Sequence, residues 1–168
     1  TTPATLQLRR HPAFVRFWFA RVASGLGFQM LSVAVGWQIY AITGRALDLG
    51  LIGLVQFFPS VLLALPAGHI ADQHDRRRVV LGGQLIAFAA IALLATLTLL
   101  GHVHEAGILL LVFAVSTAKA FESPSLQSIL PALVPTGMLP RAVASSGAAF
   151  QAAMILGPAV GGVLYVAG

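Results

Sequence analysis

The sequence predicts an all-α polytopic membrane helix bundle, on three observations. Of 168 residues, 58% are hydrophobic and only 9% charged, with a mean hydropathy of +0.89; soluble domains carry about 25% charged residues. The apolar residues fall into runs long enough to cross a bilayer, whose core of about 30 Å takes about 20 helical residues. The charges gather in the breaks, most densely at Gly68-His-Ile-Ala-Asp72-Gln-His-Asp75-Arg76-Arg77-Arg78. Hydrocarbon offers such groups no partners, so this stretch is expected in water between two spans.

Residues 1–13 are polar to basic and read as a cytoplasmic segment. The apolar run after them is too long for a signal-peptide core and has no small-x-small cleavage site, so it reads as a first span. Spans are expected at about 14–42, 49–71, 79–100, 107–129 and 142–166, within a bundle covering 14–168. The breaks carry turn and charge signals: Thr43-Gly44-Arg45 with Asp48, the arginine cluster, Gly101-His102-Val103-His104-Glu105, and Pro131 to Pro140. Arg9, Arg10 and Arg16 precede or open the first span. Arg76 to Arg78 and Arg141 lie in the second and fourth breaks, whereas the first and third hold only Arg45. Short loops rich in Lys and Arg stay in the cytoplasm, so the N-terminus is expected inside and the fifth span is expected to end outside. Its end at Gly168 without a tail reads as a cut.

The sequence pI of about 11.2 invites a nucleic-acid reading, which the scatter of the basic residues over several loops argues against. With no cysteine, disulfides and thiolate metal sites are excluded. His102 and His104 have a weak metal spacing and no third ligand nearby, and solvated loop histidines are the simpler reading. No phosphate-binding glycine loop, nucleophile elbow or zinc-protease motif is present, so neither a cofactor nor an enzymatic activity is expected.

Membrane helices associate through small side chains. On the fifth span Ser145, Ala149, Ala153, Gly157 and Gly161 recur every four residues and share a face, with Pro158 between the two glycines. Ser60, Ala64 and Gly68 repeat this on the second span and align Asp72 with the same face. Both stripes read as packing faces first; a sliding surface between rocking helices is compatible. On the first span Arg21, Gly25, Gln29, Ser32, Gly36 and Tyr40 form a small and polar face. It is expected to look into the bundle or a watery cavity, with Arg21 either serving that cavity or snorkelling to the headgroups.

Lys119 and Glu122 lie inside the fourth span, three apart and so on one face. At the bilayer centre each would cost about 2.5–3.5 kcal/mol on insertion scales. They are therefore expected to face the interior, paired with each other or with Arg21. Ser116, Ser123 and Gln127 extend that face, and Pro124 interrupts the helical hydrogen bonding beside it. Two readings carry similar weight: a static ion pair, or a carboxyl that exchanges a proton when water reaches it.

The run from Gly68 to Arg78 resembles the signature loop between helices two and three of the major facilitator superfamily. Gly68 matches its first glycine, Asp72 its acid and Arg76 to Arg78 its basic end; Gln73 and Asp75 stand where an arginine and a glycine are usual. Arg21-Val-Ala-Ser-Gly-Leu-Gly27, Phe121-Glu-Ser-Pro124 with Leu130-Pro-Ala-Leu-Val-Pro135, and Gly157-Pro-Ala-Val-Gly-Gly162 resemble the branch that holds the enterobactin exporter and related drug:proton antiporters. The resemblance implies twelve helices in two halves, with a small-molecule substrate bound between them near the midplane. This chain would supply five of the six helices of the N-terminal half, and the C-terminal half would be its partner in a bacterial inner membrane. It also implies Asp72 as a gate acid flanked by Asp75 and Arg76 to Arg78, proton-coupled efflux of a small organic molecule or siderophore, and Arg21, Gln29, Lys119 and Glu122 as substrate or proton-coupling candidates. The rival reading is a non-transporting membrane scaffold or assembly module encoded as a half-length chain.

Overall fold

The structure, a computed structural model, describes residues 11–167, and the side chains of all of these but 71, 72, 166 and 167. The described residues form helices α1 (Pro12–Thr43), α2 (Ala46–Leu62), α3 (Ala64–Gln73), α4 (Arg76–Leu99), α5 (Glu105–Ile129) and α6 (Leu139–Ala167). Short 3-10 turns at Leu130–Ala132 and Thr136–Met138 join the last two. No strand occurs among the described residues. Four stretches are long and apolar enough to cross a membrane, and α2 with α3 makes a fifth if the bent pair counts as one span. Leu65, Leu85, Phe88, Leu110 and Ile155 are among the large apolar side chains left exposed. Water would penalise such a surface, and lipid tails suit it.

Where one rod is expected between about residues 49 and 71, the chain bends by 50° between α2 and α3. Pro66 supplies the physical reason. It has no N–H to give to the Leu62 carbonyl, and its ring crowds the preceding turn. Leu63 takes up the break at φ −95°, ψ 1°. The second difference concerns the arginines. The helix starts at Arg76 instead of after Arg78, because the Asp75 carboxylate accepts the Arg77 backbone N–H at 2.9 Å and caps the first turn. At the other end of α4 the chain turns at Gly101 (φ +68°). There the His102 N–H reaches back to the Leu97 carbonyl and the Gly101 N–H to Thr98, the double closure that favours glycine at this position.

The chain divides into two compact units. The first holds α1 up to Val35 together with the segment from Leu130 onward. Here Phe14, Leu130, Val134 and Ala142 form a buried cluster, bordered by Phe17, Trp18, Met138 and Leu139. The Trp18 indole N–H donates to the Ser145 carbonyl at 3.4 Å. Further along, Ala153, Gly157 and Gly161 are buried against α1. A Cβ on Gly157 would lie 2.5 Å from the Gln29 Cβ, and one on Gly161 would lie 2.9 Å from the Met30 Cα. The two backbones meet there only because the side chains are absent.

The second unit runs from Gly36 to Ile129 and centres on α5, which packs on α4, α2 and α3. Ile108, Val112, Val115 and Ala118 are buried along it. Near the start of α5, Arg45 binds Asp48 through two hydrogen bonds of 3.0 and 3.1 Å and reaches Glu105 at 3.5 Å. The Asp48 carboxylate holds the Arg45 guanidinium above its ordinary range, so its charge persists at any working pH. Gln38 donates to the Thr98 hydroxyl at 2.7 Å and ties α1 to α4. In the sequence Arg45, Asp48 and Glu105 register only as loop charges; with Gln38 and Thr98 they fasten one end of the unit.

Candidate functional site

The site lies in the second unit, where α5 passes the α2–α3 bend. An open groove of about 660 Å³ is lined by Ser60 and Ala64 from the bend and by Lys119, Ala120, Ser123, Pro124, Gln127 and Ser128 from α5. Its volume falls within the range of small-molecule sites. The Ser60–Ala64–Gly68 stripe, expected as a packing face, does not pack as one. Ser60 and Ala64, on either side of the break at Leu63, are exposed to the groove, and Ala67 is buried instead. Pro124 contributes a second polar feature. Without an N–H it leaves the Ala120 carbonyl without its helical donor, and both residues line the groove.

Behind this wall sits the charge cluster. Lys119 Nζ lies 3.6 Å from Glu122 Oε1, with the lysine side chain 25% exposed and the glutamate 3%. Gln84 of α4 donates from Nε2 to the same oxygen at 2.7 Å. Gly83, next to Gln84, lets α4 and α5 approach: a Cβ there would sit 3.2 Å from the Ala118 carbonyl oxygen. Glu122 thus has an amide on its α4 side and an ammonium on its groove side. Ser116, about one turn before Lys119 on α5, is buried, and its hydroxyl has no hydrogen-bond partner among the described residues.

Lys119 and Glu122 are therefore brought together. The other two coupling candidates engage α6 within the first unit. The Arg21 guanidinium lies over the Phe150 ring, 5.3 Å from its centroid. Gln29 donates to the Met154 carbonyl at 3.3 Å. In the signature stretch, Gly68 is half-buried on α3, and the Asp72 side chain lies outside the described residues, as do Arg9 and Arg10. Asp75 caps α4 and pairs loosely with Arg78 at 3.9 Å. Arg76 donates to the Ser128 carbonyl at 2.8 Å and so secures the last turn of α5. Arg77 is exposed. Gln84 is the residue that sequence reasoning missed. Its signal is present: it is the lone amide in the apolar run of α4, and an amide at that depth needs a partner. Among the described residues no group of three or more His, Cys, Asp or Glu side chains could hold a metal ion.

Membrane-length helices, with a polar groove and a buried ion pair among those of the second unit, define a multi-pass membrane protein. The chain belongs to the transmembrane secretion effector family, whose profile matches residues 4–168, a family of the major facilitator superfamily. It is 27% identical over 152 residues to macrolide efflux protein A of Streptococcus pyogenes, covering 90% of this chain and 38% of that protein. The namesake in Enterococcus faecalis is 29% identical over 122 residues, 73% of this chain and 38% of its own length. A staphyloferrin A transporter of Staphylococcus aureus is 26% identical over 140 residues, 83% of this chain and 35% of that protein. The chain thus spans little more than a third of these relatives' length. No solved structure matches it.

Proposed function

We propose that the chain is the N-terminal part of a secondary transporter that exports a small organic molecule, coupled to protons, by alternating access. It needs no cofactor and catalyses no covalent step. The N-terminus faces the cytoplasm of a bacterial inner membrane, and a C-terminal half supplies the rest of the cavity. The observation that carries this reading is the buried Glu122, held by Lys119 and Gln84 at the edge of a polar groove within membrane-length helices. Intramembrane ionisable groups mark substrate and proton pathways. Protonation of Glu122 would remove the charge that Lys119 answers and so bias a two-state element. The macrolide efflux relatives support export, the staphyloferrin A relative supports transport, and the names leave the substrate of this chain open.

The test is transport by the complete protein in proteoliposomes under an imposed pH gradient. Glu122→Gln should abolish proton-driven efflux while leaving gradient-independent exchange of substrate in place. Unchanged proton-driven efflux removes Glu122 from the mechanism. Asp72, proposed as the gate acid of the signature stretch, gives a second expectation: Asp72→Asn should lower turnover more than it lowers the amount of protein in the membrane. Loss of protein with normal turnover per molecule would make Asp72 structural.

A further inference from the structure

A proline inside a helix leaves the carbonyl four residues before it without its helical donor. In α6 that proline is Pro158, and the carbonyl is that of Met154. Hydrocarbon holds no water to serve such a group, so a donor has to come from a neighbouring side chain. It comes from Gln29 of α1, whose Nε2–H donates to the Met154 carbonyl at 3.3 Å. Gly157, next to Pro158, provides the access. A Cβ there would lie 2.5 Å from the Gln29 Cβ, so any side chain at 157 would push α1 away from the carbonyl.

We propose that Gln29 stands in for the N–H that Pro158 lacks and thereby sets the register of α1 on α6. Past its first turn α6 contains one proline, so in the body of the helix one carbonyl is opened in this way. An amide displaced by a turn, about 5.4 Å, would meet a carbonyl that α6 already serves. The Trp18 indole carries no such information, because the Ser145 carbonyl it reaches has its own helical donor in the Ala149 N–H. Gln29 is therefore a positioning residue: its amide is engaged by the main chain, not by a transported molecule. The register it sets places the Arg21 guanidinium over the Phe150 ring and Gly161 against the Met30 backbone. The sequence pattern marks Gln29 as a coupling candidate; the geometry gives it this different task, whichever group couples protons.

The experiment uses the complete protein in lipid nanodiscs and needs no transport assay, so its outcome is separate from that of the transporter reading. The first readout is the thermal unfolding midpoint. Gln29→Met keeps the size of the side chain and removes the donor, and should lower the midpoint by a few degrees. In a Pro158→Ala background, where the helix regains its own N–H, the same change should leave the midpoint where it was. The second readout is the register itself, by oxidative cross-linking in a background without other cysteines; residues 1–168 already lack them. A Cβ on Gly25 would lie 3.5 Å from the Ala153 Cβ, within the range of about 3.5–4.5 Å that a disulfide accepts. Gly25→Cys with Ala153→Cys should therefore link faster than Gly25→Cys with Ala149→Cys, one turn away. Gln29→Met should lower the ratio of the two rates by about threefold, the factor carried by an average side-chain hydrogen bond between membrane helices. Pro158→Ala should restore the ratio. Equal effects of Gln29→Met with and without Pro158 would overturn the proposal, and so would no effect in either background.

Discussion

Gly161→Ala should lower the thermal unfolding midpoint of the detergent-solubilised protein by several degrees, whereas Gly162→Ala, one position along the same helix, should leave it unchanged or raise it slightly. At Gly161 the new methyl would meet the Met30 Cα at 2.9 Å and the Met30 carbonyl at 3.3 Å, both backbone atoms that cannot rotate away. At Gly162 nothing lies within 4 Å. Both changes gain roughly 1 kcal/mol of helix propensity. The overpacking at Gly161 costs about 1–3 kcal/mol, so its net sign is opposite. Gly157→Ala, whose methyl would sit 2.5 Å from the Gln29 Cβ, should behave like Gly161→Ala. It should also disturb the Gln29 hydrogen bond to Met154. Equal midpoints for the variants at 161 and 162 would mean that α1 and α6 do not meet along this stripe.

Lys119→Met should be the most damaging change of a charged residue in the second unit, and Glu122→Gln in the same molecule should largely repair it. Removing the ammonium leaves a carboxylate that is 3% exposed with the Gln84 amide against it. Stranding one partner of a fully buried pair costs about 3–5 kcal/mol. With Lys119 itself one-quarter exposed, about 1–3 kcal/mol is expected here. Replacing both ions by neutral groups of similar size is often near neutral, so a double-mutant cycle read by unfolding midpoints should show strong coupling between 119 and 122. Additive effects would show that the pair does not act as a unit.

The membrane fold and the pairing of Lys119 with Glu122 could be read from the sequence because each rests on a one-dimensional signal. A span is a length of apolar residues, and residues three apart share a helix face. The small-residue stripe of α6 was legible for the same reason. The bend at Leu63 was not. Pro59 and Pro66 were visible, but whether a proline bends a membrane helix depends on which neighbours re-satisfy the carbonyl it leaves open. The bend then changed the meaning of Ser60 and Ala64 from a packing row to a groove wall. Gln84 escaped for a different reason. Its importance depends on Gly83 bringing α4 close to α5, a relation between residues 38 positions apart. The polar end formed by Arg45, Asp48, Glu105, Gln38 and Thr98 likewise exists only once four chain segments converge.

A proline that interrupts one rod also sets how much space its neighbour can enclose. The hollow beside α5 is bordered on one side by the bend at Leu63, whose flanking residues Ser60 and Ala64 form its wall. Widening or narrowing it therefore does not require any residue that would touch a cargo molecule to be replaced. A change at position 66, facing none of that space, would straighten the rod and alter which molecular sizes fit, while every polar group of the lining kept its identity.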